Sequence, residues 1–245
     1  MNAPRRALPA ALVLLLLTTL APTYAWAPQT RVHMLDEAVK FMPPTLRTVL
    51  EEQRESLLRG ALETMKRENG ARETAPWLGG KLDSQVEAEA AKLAALLKEP
   101  KPLDQVARQF GRLAHYILDA GFPPGATADG DARYDHFSKF CESRRERFPL
   151  VFYGHEHEAL GKSPNYAAYA LDVLERAREN DRKIAYTYER AAKHAHADDF
   201  DDRSVPFAVG SLSYSRSIND VVRVWLTVWE NAHGDMGYTP YRNVD

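Results

Sequence analysis

The sequence predicts an all-α protein, and three observations carry the prediction. Apolar residues recur at three- and four-residue spacing in one segment after another. Pro43-Pro44, Pro100, Pro102 and Pro123-Pro124 fall between those segments, where prolines end helices rather than interrupt them. No pair of alternating strands, internal repeat or low-complexity tract appears. The expected architecture is a single-domain multi-helix bundle of about seven helices.

Thr30 to Met42 reads as a first short helix, stopped by Pro43-Pro44. Leu46, Val49, Leu50, Leu57, Leu58, Ala61, Leu62 and Met65 keep amphipathic spacing and read as one second helix. Asn69 to Gly80 lacks periodicity, holds glycines and Pro76, and reads as a loop carrying Trp77. Val86, Ala90, Leu93, Ala94 and Leu97 form the next helix, and a central helix runs from Leu103 to Ala120. Pro123 to Tyr134 is a loop, His136 to Arg147 returns to helix, and Phe148 to Pro164 is irregular. Tyr166 to His194 is a long helical run, followed by an acidic loop from Asp198 to Asp202. Ile218, Val221, Val222, Trp225, Val228, Trp229 and Ala232 complete the most apolar helix, a core element.

The central helix carries the first chemistry. His115 and Asp119 are four residues apart, so they stack on one helical face and can share a metal ion. Leu103, Val106, Phe110, Leu113 and Ile117 form the apolar stripe, and the His/Asp pair lies nearly opposite it. That placement fits a polar site lining a pocket and a solvated face with Arg108 and Arg112 equally well.

Met1 to Ala25 has the charged start, short apolar core and small-x-small ending of a secretory signal, with residues 26–245 as the mature domain. Cleavage after Ala25 leaves Trp26 first; cleavage after Ala27 also satisfies the rule and removes Trp26. The expected destination is secreted or periplasmic. The formal net charge is −2, and removal of Arg5 and Arg6 with the signal makes the mature chain more acidic. That balance argues against a general nucleic-acid binder but not against a small phosphodiester substrate. Cys141 is the only cysteine, so no internal disulfide forms, and its helix-like spacing with Phe137 and Phe140 marks it as core filler.

Trp26 lies seven residues before His33; the His115-Tyr116-Ile117-Leu118-Asp119 helix, Asp135-His136-Phe137 and the Trp225/Trp229 helix follow in order. In these features the sequence resembles the zinc-dependent phospholipase C family, which shares its fold with the fungal single-strand-specific nucleases. The resemblance implies zinc bound by the amine and carbonyl of Trp26, by His33, and by His115 and Asp119, with Asp119 bridging metals and so central to catalysis. His136 matches a further histidine, and Glu63 is the nearest candidate for a carboxylate expected at the end of the second helix. Zinc favours such imidazole and carboxylate ligands and lowers the pKa of bound water to about 7.

Departures from the pattern are specific. Gly125 stands about where a histidine is expected after Asp119, and Phe140 where a carboxylate is expected one turn after His136. Asp135 and Glu142 are near but off register, and no histidine lies between His33 and His115. The surviving ligands could hold one or two zinc ions rather than three. The resemblance thus implies an exported phosphodiester hydrolase acting on a phospholipid head group or another phosphodiester, with transient membrane contact. Two alternatives stay open: a non-catalytic secreted protein that kept the helical fold and lost the metals, or a single-strand nuclease-like enzyme.

Three further clusters are weaker. His155-Glu156-His157 would chelate only if extended and reads better as a solvated loop. His194 and His196 with Asp198, Asp199, Asp201 and Asp202 lack the spacing of a calcium loop. Arg144, Arg145 and Arg147 read as a wet helix face.

Overall fold

Proline sets three of the helix starts: Pro28 opens α1 (Pro28–Val39), Pro44 opens α2 (Pro44–Glu52), and Pro206 lies in the first turn of α8 (Val205–Asn231). Its missing N–H costs nothing where no intrahelical acceptor exists, and its fixed φ suits the first turn. The other helices are α3 (Arg54–Arg67), α4 (Leu82–Leu97), α5 (Leu103–Ala120), α6 (Asp131–Arg144) and α7 (Tyr166–Ala191). This computed structural model describes residues 25–67, 73–191 and 200–242. Among them the fold is all-α, with eight α-helices, four short 3-10 turns and no strand. The proposed signal before Ala25 and the His194/His196 cluster with Asp198 and Asp199 lie outside the described residues, as does the Glu63 side chain. No helix among the described residues is long and apolar enough to cross a membrane.

The α5 boundaries agree with the expected Leu103 to Ala120, but two expectations are corrected and one open alternative is decided. Residues 46–65 form two helices, not one, because the chain leaves helical geometry at Gln53 (φ −101°, ψ 25°). No glycine or proline marks that break. Just past it, Arg54 opens α3 and pairs at the surface with Asp36 of α1 through two bonds of 2.8 Å. The last helix begins at Val205 rather than near Ile218, capped by Ser204, whose hydroxyl accepts from Phe207 N at 3.3 Å. Its first half lacks an apolar stripe because buried serines pack there: Ser213, Ser215 and Ser217. Of the two readings open for the α5 face that carries His115 and Asp119, the solvated one does not hold. His115 is 1% exposed, and Ala114 and Leu118 beside it are fully buried, whereas Leu103 of the presumed apolar stripe is 47% exposed.

α5 is the axis of the fold, with α3, α4, α7 and α8 packed around it. Its approach to α3 is set by two glycines: a Cβ on Gly60 would stand 2.0 Å from Arg108 O, and one on Gly111 would stand 1.9 Å from Leu57 O. Trp225 of α8 closes the other side, donating its indole N–H to Phe110 O at 3.1 Å and meeting the Phe110 ring edge-on. α6 is tied to α1 by Glu142, whose Oε2 accepts from Thr30 N at 3.0 Å and so satisfies one of the orphan amides of that helix start.

The irregular segment 149–154 is strapped to α8 by one polar stripe at four-residue spacing. Ser215 Oγ donates to Pro149 O and accepts from Val151 N; Asn219 donates to Val151 O and accepts from Tyr153 N; Arg223 donates to Tyr153 O and Gly154 O. These side chains do for an extended strand what a neighbouring strand would do. Replacing Gly111 with alanine should force α3 and α5 apart and lower stability by about 1–3 kcal/mol, read as a lower urea midpoint with unchanged helicity.

Candidate functional site

The residues between Trp26 and Asp119 form the best-defined polar centre among the described residues. It begins with a helix pattern: Arg31 falls in phase with Met34, Leu35 and Ala38, so α1 turns an arginine inward along with its apolar stripe. A buried guanidinium needs acceptors, and α5 and the α1 entry supply them. Arg31 Nε donates to Trp26 O at 3.0 Å. Nη1 lies 3.3 Å from His115 Nδ1 and 3.4 Å from His115 O. Nη2 pairs with Asp119 Oδ1, and the other Asp119 oxygen lies 3.3 Å from His115 Nε2. Arginine can only donate, so His115 Nδ1 accepts, which leaves the ring proton on Nε2 facing Asp119.

Trp26 itself is a core residue. Its indole N–H donates to Leu118 O at 3.1 Å and its ring meets Phe122 edge-on with centroids 5.2 Å apart. That anchoring aims its carbonyl at Arg31.

These contacts test whether the residues present fit zinc. The Trp26 carbonyl, His115 and Asp119 do converge, and they are three of the groups that the resemblance assigns to the metal. The convergence point, however, holds the Arg31 guanidinium, a permanent cation whose N–H groups already engage all three. The lone pair of His115 Nδ1 is spent on Arg31 and its Nε2 proton faces Asp119. The donor set does not fit zinc while Arg31 stays in place.

The other candidate ligands are elsewhere engaged. His33 Nδ1 pairs with the Tyr214 hydroxyl, and its Nε2 lies 3.8 Å from Glu37. His136 Nδ1 lies 2.6 Å from the Tyr188 hydroxyl, with the ring edge-on to Phe200. Neither has a described hydrogen bond or ion pair to Trp26, Arg31, His115 or Asp119. Phe140 is fully buried against Phe137 and Phe200, surroundings in which a carboxylate would be costly. Gly125 sits beside the centre: a Cβ there would lie 3.8 Å from Asp119 O and 3.7 Å from the Tyr134 ring. Sequence reasoning missed Arg31 because it counted only histidines and carboxylates. The available signal was the arginine's place on an apolar stripe.

The remaining clusters resolve into structural pairs. Arg144 and Arg147 meet Asp202, and Arg145 meets Glu142 at 3.0 Å. Cys141 is fully buried, and burial pushes its thiol well above the ordinary range. His155 and His157 line an open trough of about 1050 Å³ between segment 153–161 and the end of α8. They do not share a centre. His155 Nε2 donates to Pro240 O at 2.8 Å, whereas His157 Nδ1 accepts from Ala159 N at 3.2 Å.

Burial lowers the pKa of both histidines from the usual 6.5, and Arg223 lowers both further. The unfolded chain therefore takes up protons first as pH falls. The stability associated with these neutral rings is complete above about pH 6.5 and is lost below it, toward their folded values. His155→Gln should shrink the stability difference between pH 7.5 and 5.5 relative to wild type, measured by urea unfolding at each pH.

No protein-family model matches the sequence, and no curated protein matches it. Among solved structures, a crystal structure of the alpha-toxin of Clostridium perfringens, isolated from avian strain SWCP, superimposes with a TM-score of 0.57. The sequences are 12% identical, and the match covers 85% of this chain but only 63% of the toxin chain. At that identity the likeness is one of fold: the all-helical architecture of this chain is shared with the matched part of the alpha-toxin.

Proposed function

We propose that this chain is a zinc-independent protein on a phospholipase C-like helical fold, acting by binding rather than by hydrolysis. One observation carries the reading: Arg31 holds the point where the Trp26 carbonyl, His115 and Asp119 converge. A guanidinium there supplies the positive charge that the part-buried Asp119 requires, and it comes with the chain instead of from solution. The departures at Gly125 and Phe140 support the same reading, because each puts an apolar or absent side chain where the resemblance expects a ligand.

Export to a secreted or periplasmic location belongs to the proposal and rests on the Met1 to Ala25 pattern. The burial of Trp26 favours cleavage after Ala25 over Ala27. The second cut would remove a fully buried indole and one acceptor of Arg31. N-terminal sequencing of the exported protein should read Trp26 first.

The competing reading is a zinc phosphodiesterase, favoured by the convergence of Trp26, His115 and Asp119 in one place. Metal analysis separates the two. Purified wild-type protein should carry no stoichiometric zinc and hydrolyse neither a soluble choline phosphodiester nor single-stranded DNA, and chelator should leave its melting temperature unchanged. One zinc per chain with chelator-sensitive hydrolysis would overturn the proposal. Asp119→Asn leaves Arg31 buried without its charge partner, so it should cost about 3–5 kcal/mol of stability with no change in metal content. Arg31→His removes the fixed cation and places an imidazole in its stead; zinc should raise the melting temperature of this variant and not of wild type.

A further inference from the structure

A second charged centre lies away from Arg31, where the loop carrying Trp77 meets α7. Trp77 is held by its indole N–H, which donates to Ala126 O at 2.9 Å, and it stays 38% exposed. Arg178 of α7 lies over its face, with the guanidinium carbon 4.7 Å from the ring centroid. Arg182 follows Arg178 by four residues and so shares its helical face. Between them and the 126–129 turn is a cavity of about 240 Å³, lined among others by Trp77, Thr127, Arg133, Arg178, Asp181 and Arg182.

The charges in this cavity are unequally spent. Asp181 is fully buried and accepts from Thr127 Oγ1 and from Arg133, whose Nε bond is 2.8 Å. Asp129, the other acidic lining residue, also meets Arg133, with Nη1 3.4 Å from its carboxylate. One guanidinium thus occupies both acids of the lining. Arg178 gives Nη2 to Glu175, and its Nη1 forms no hydrogen bond among the described residues. Arg182 is exposed and forms no ion pair among the described residues. The aromatic stack fixes Arg178 in place, so little side-chain freedom is left to lose on binding.

The geometry points to a binding site for a small phosphate-type oxyanion, held by the free edges of Arg178 and Arg182 beside Trp77. The cavity has ample room for a phosphate group, since about 10–15 Å³ of such space already holds a water. Guanidinium forks match phosphate oxygens better than any other side chain does. The site is separate from the Arg31 centre, and the proposal stands whether or not that centre takes zinc.

Titration of the mature protein with inorganic phosphate should give saturable binding by calorimetry and a change in tryptophan fluorescence. Trp77→Phe should abolish the fluorescence change while calorimetric binding remains. Arg178→Gln and Arg182→Gln should each weaken binding about tenfold or more, as expected for loss of a charge-assisted hydrogen bond. Arg182→Gln, at an exposed position, should keep the wild-type melting temperature, so its effect reports binding and not folding. Vesicles identify the source: sedimentation with phosphatidic acid but not phosphatidylcholine, dependent on Arg182, assigns a lipid phosphate. Phosphate binding without sedimentation assigns a free ion or a soluble ester. Absence of phosphate binding, or equal affinity in wild type and both arginine variants, overturns the proposal.

Discussion

The Arg31–Asp119 pair is the contact on which the centre of this fold depends. It joins α1 to α5 across a region where Trp26, Met34, Leu35, Phe110, Ala114 and Leu118 have no more than 1% of their surface exposed. In such surroundings a lone carboxylate or a lone guanidinium is strongly destabilising, so each group makes the other necessary. The hydrogen bonds to the Trp26 carbonyl and to His115 use the rest of the Arg31 fork. That satisfaction separates a tolerable buried ion pair from a costly one. It also gives the N-terminal segment a fixed path, since Trp26 can donate to Leu118 and accept from Arg31 in only one placement.

The same accounting of polar groups explains the rest of the architecture. An all-helical protein has no sheet to satisfy its extended segments, and segment 149–154 is one such segment. Ser215, Asn219 and Arg223 on α8 provide its donors and acceptors, which is why a largely buried helix carries so regular a polar stripe. Arg223 also lies 3.6 Å from Asp220, a buried acid that accepts from Tyr169 at 2.6 Å and from Arg176 at 3.0 Å. Among the described residues, charge is placed inside this molecule repeatedly, and Arg31, Glu89, Arg133, Asp181, Asp220 and Arg223 are all paired.

Those pairings account for which features were legible in the sequence. The all-α class, the α5 boundaries and the buried Cys141 followed from periodicity and proline placement, both local properties. The break at Gln53 did not, because no glycine, proline or change of periodicity marks it. The start of α8 was hidden because Ser213, Ser215 and Ser217 carry no apolar signal although they are buried. The centre was half legible. Trp26, His115 and Asp119 stood out as groups that meet, while His33 and His136 turned to Tyr214 and Tyr188. Arg31 escaped because a search for ligands ignores residues that cannot be ligands, although an inward arginine is what a buried carboxylate needs.

A metal ion and an arginine are two solutions to one electrostatic problem, and they differ in what they allow. A metal with an open coordination position offers Lewis acidity and an acidified water. A guanidinium offers charge and directed hydrogen bonds but no vacant orbital, and its pKa keeps it from exchanging protons near neutrality. A centre built on Arg31 can therefore hold the same helices in the same relation, while the guanidinium itself supplies no Lewis acid. The likeness to the alpha-toxin is compatible with either solution, because a helical fold constrains where α1 and α5 meet and not which cation lies between them. The surface that retains unspent positive charge is then the more informative place to look for a ligand.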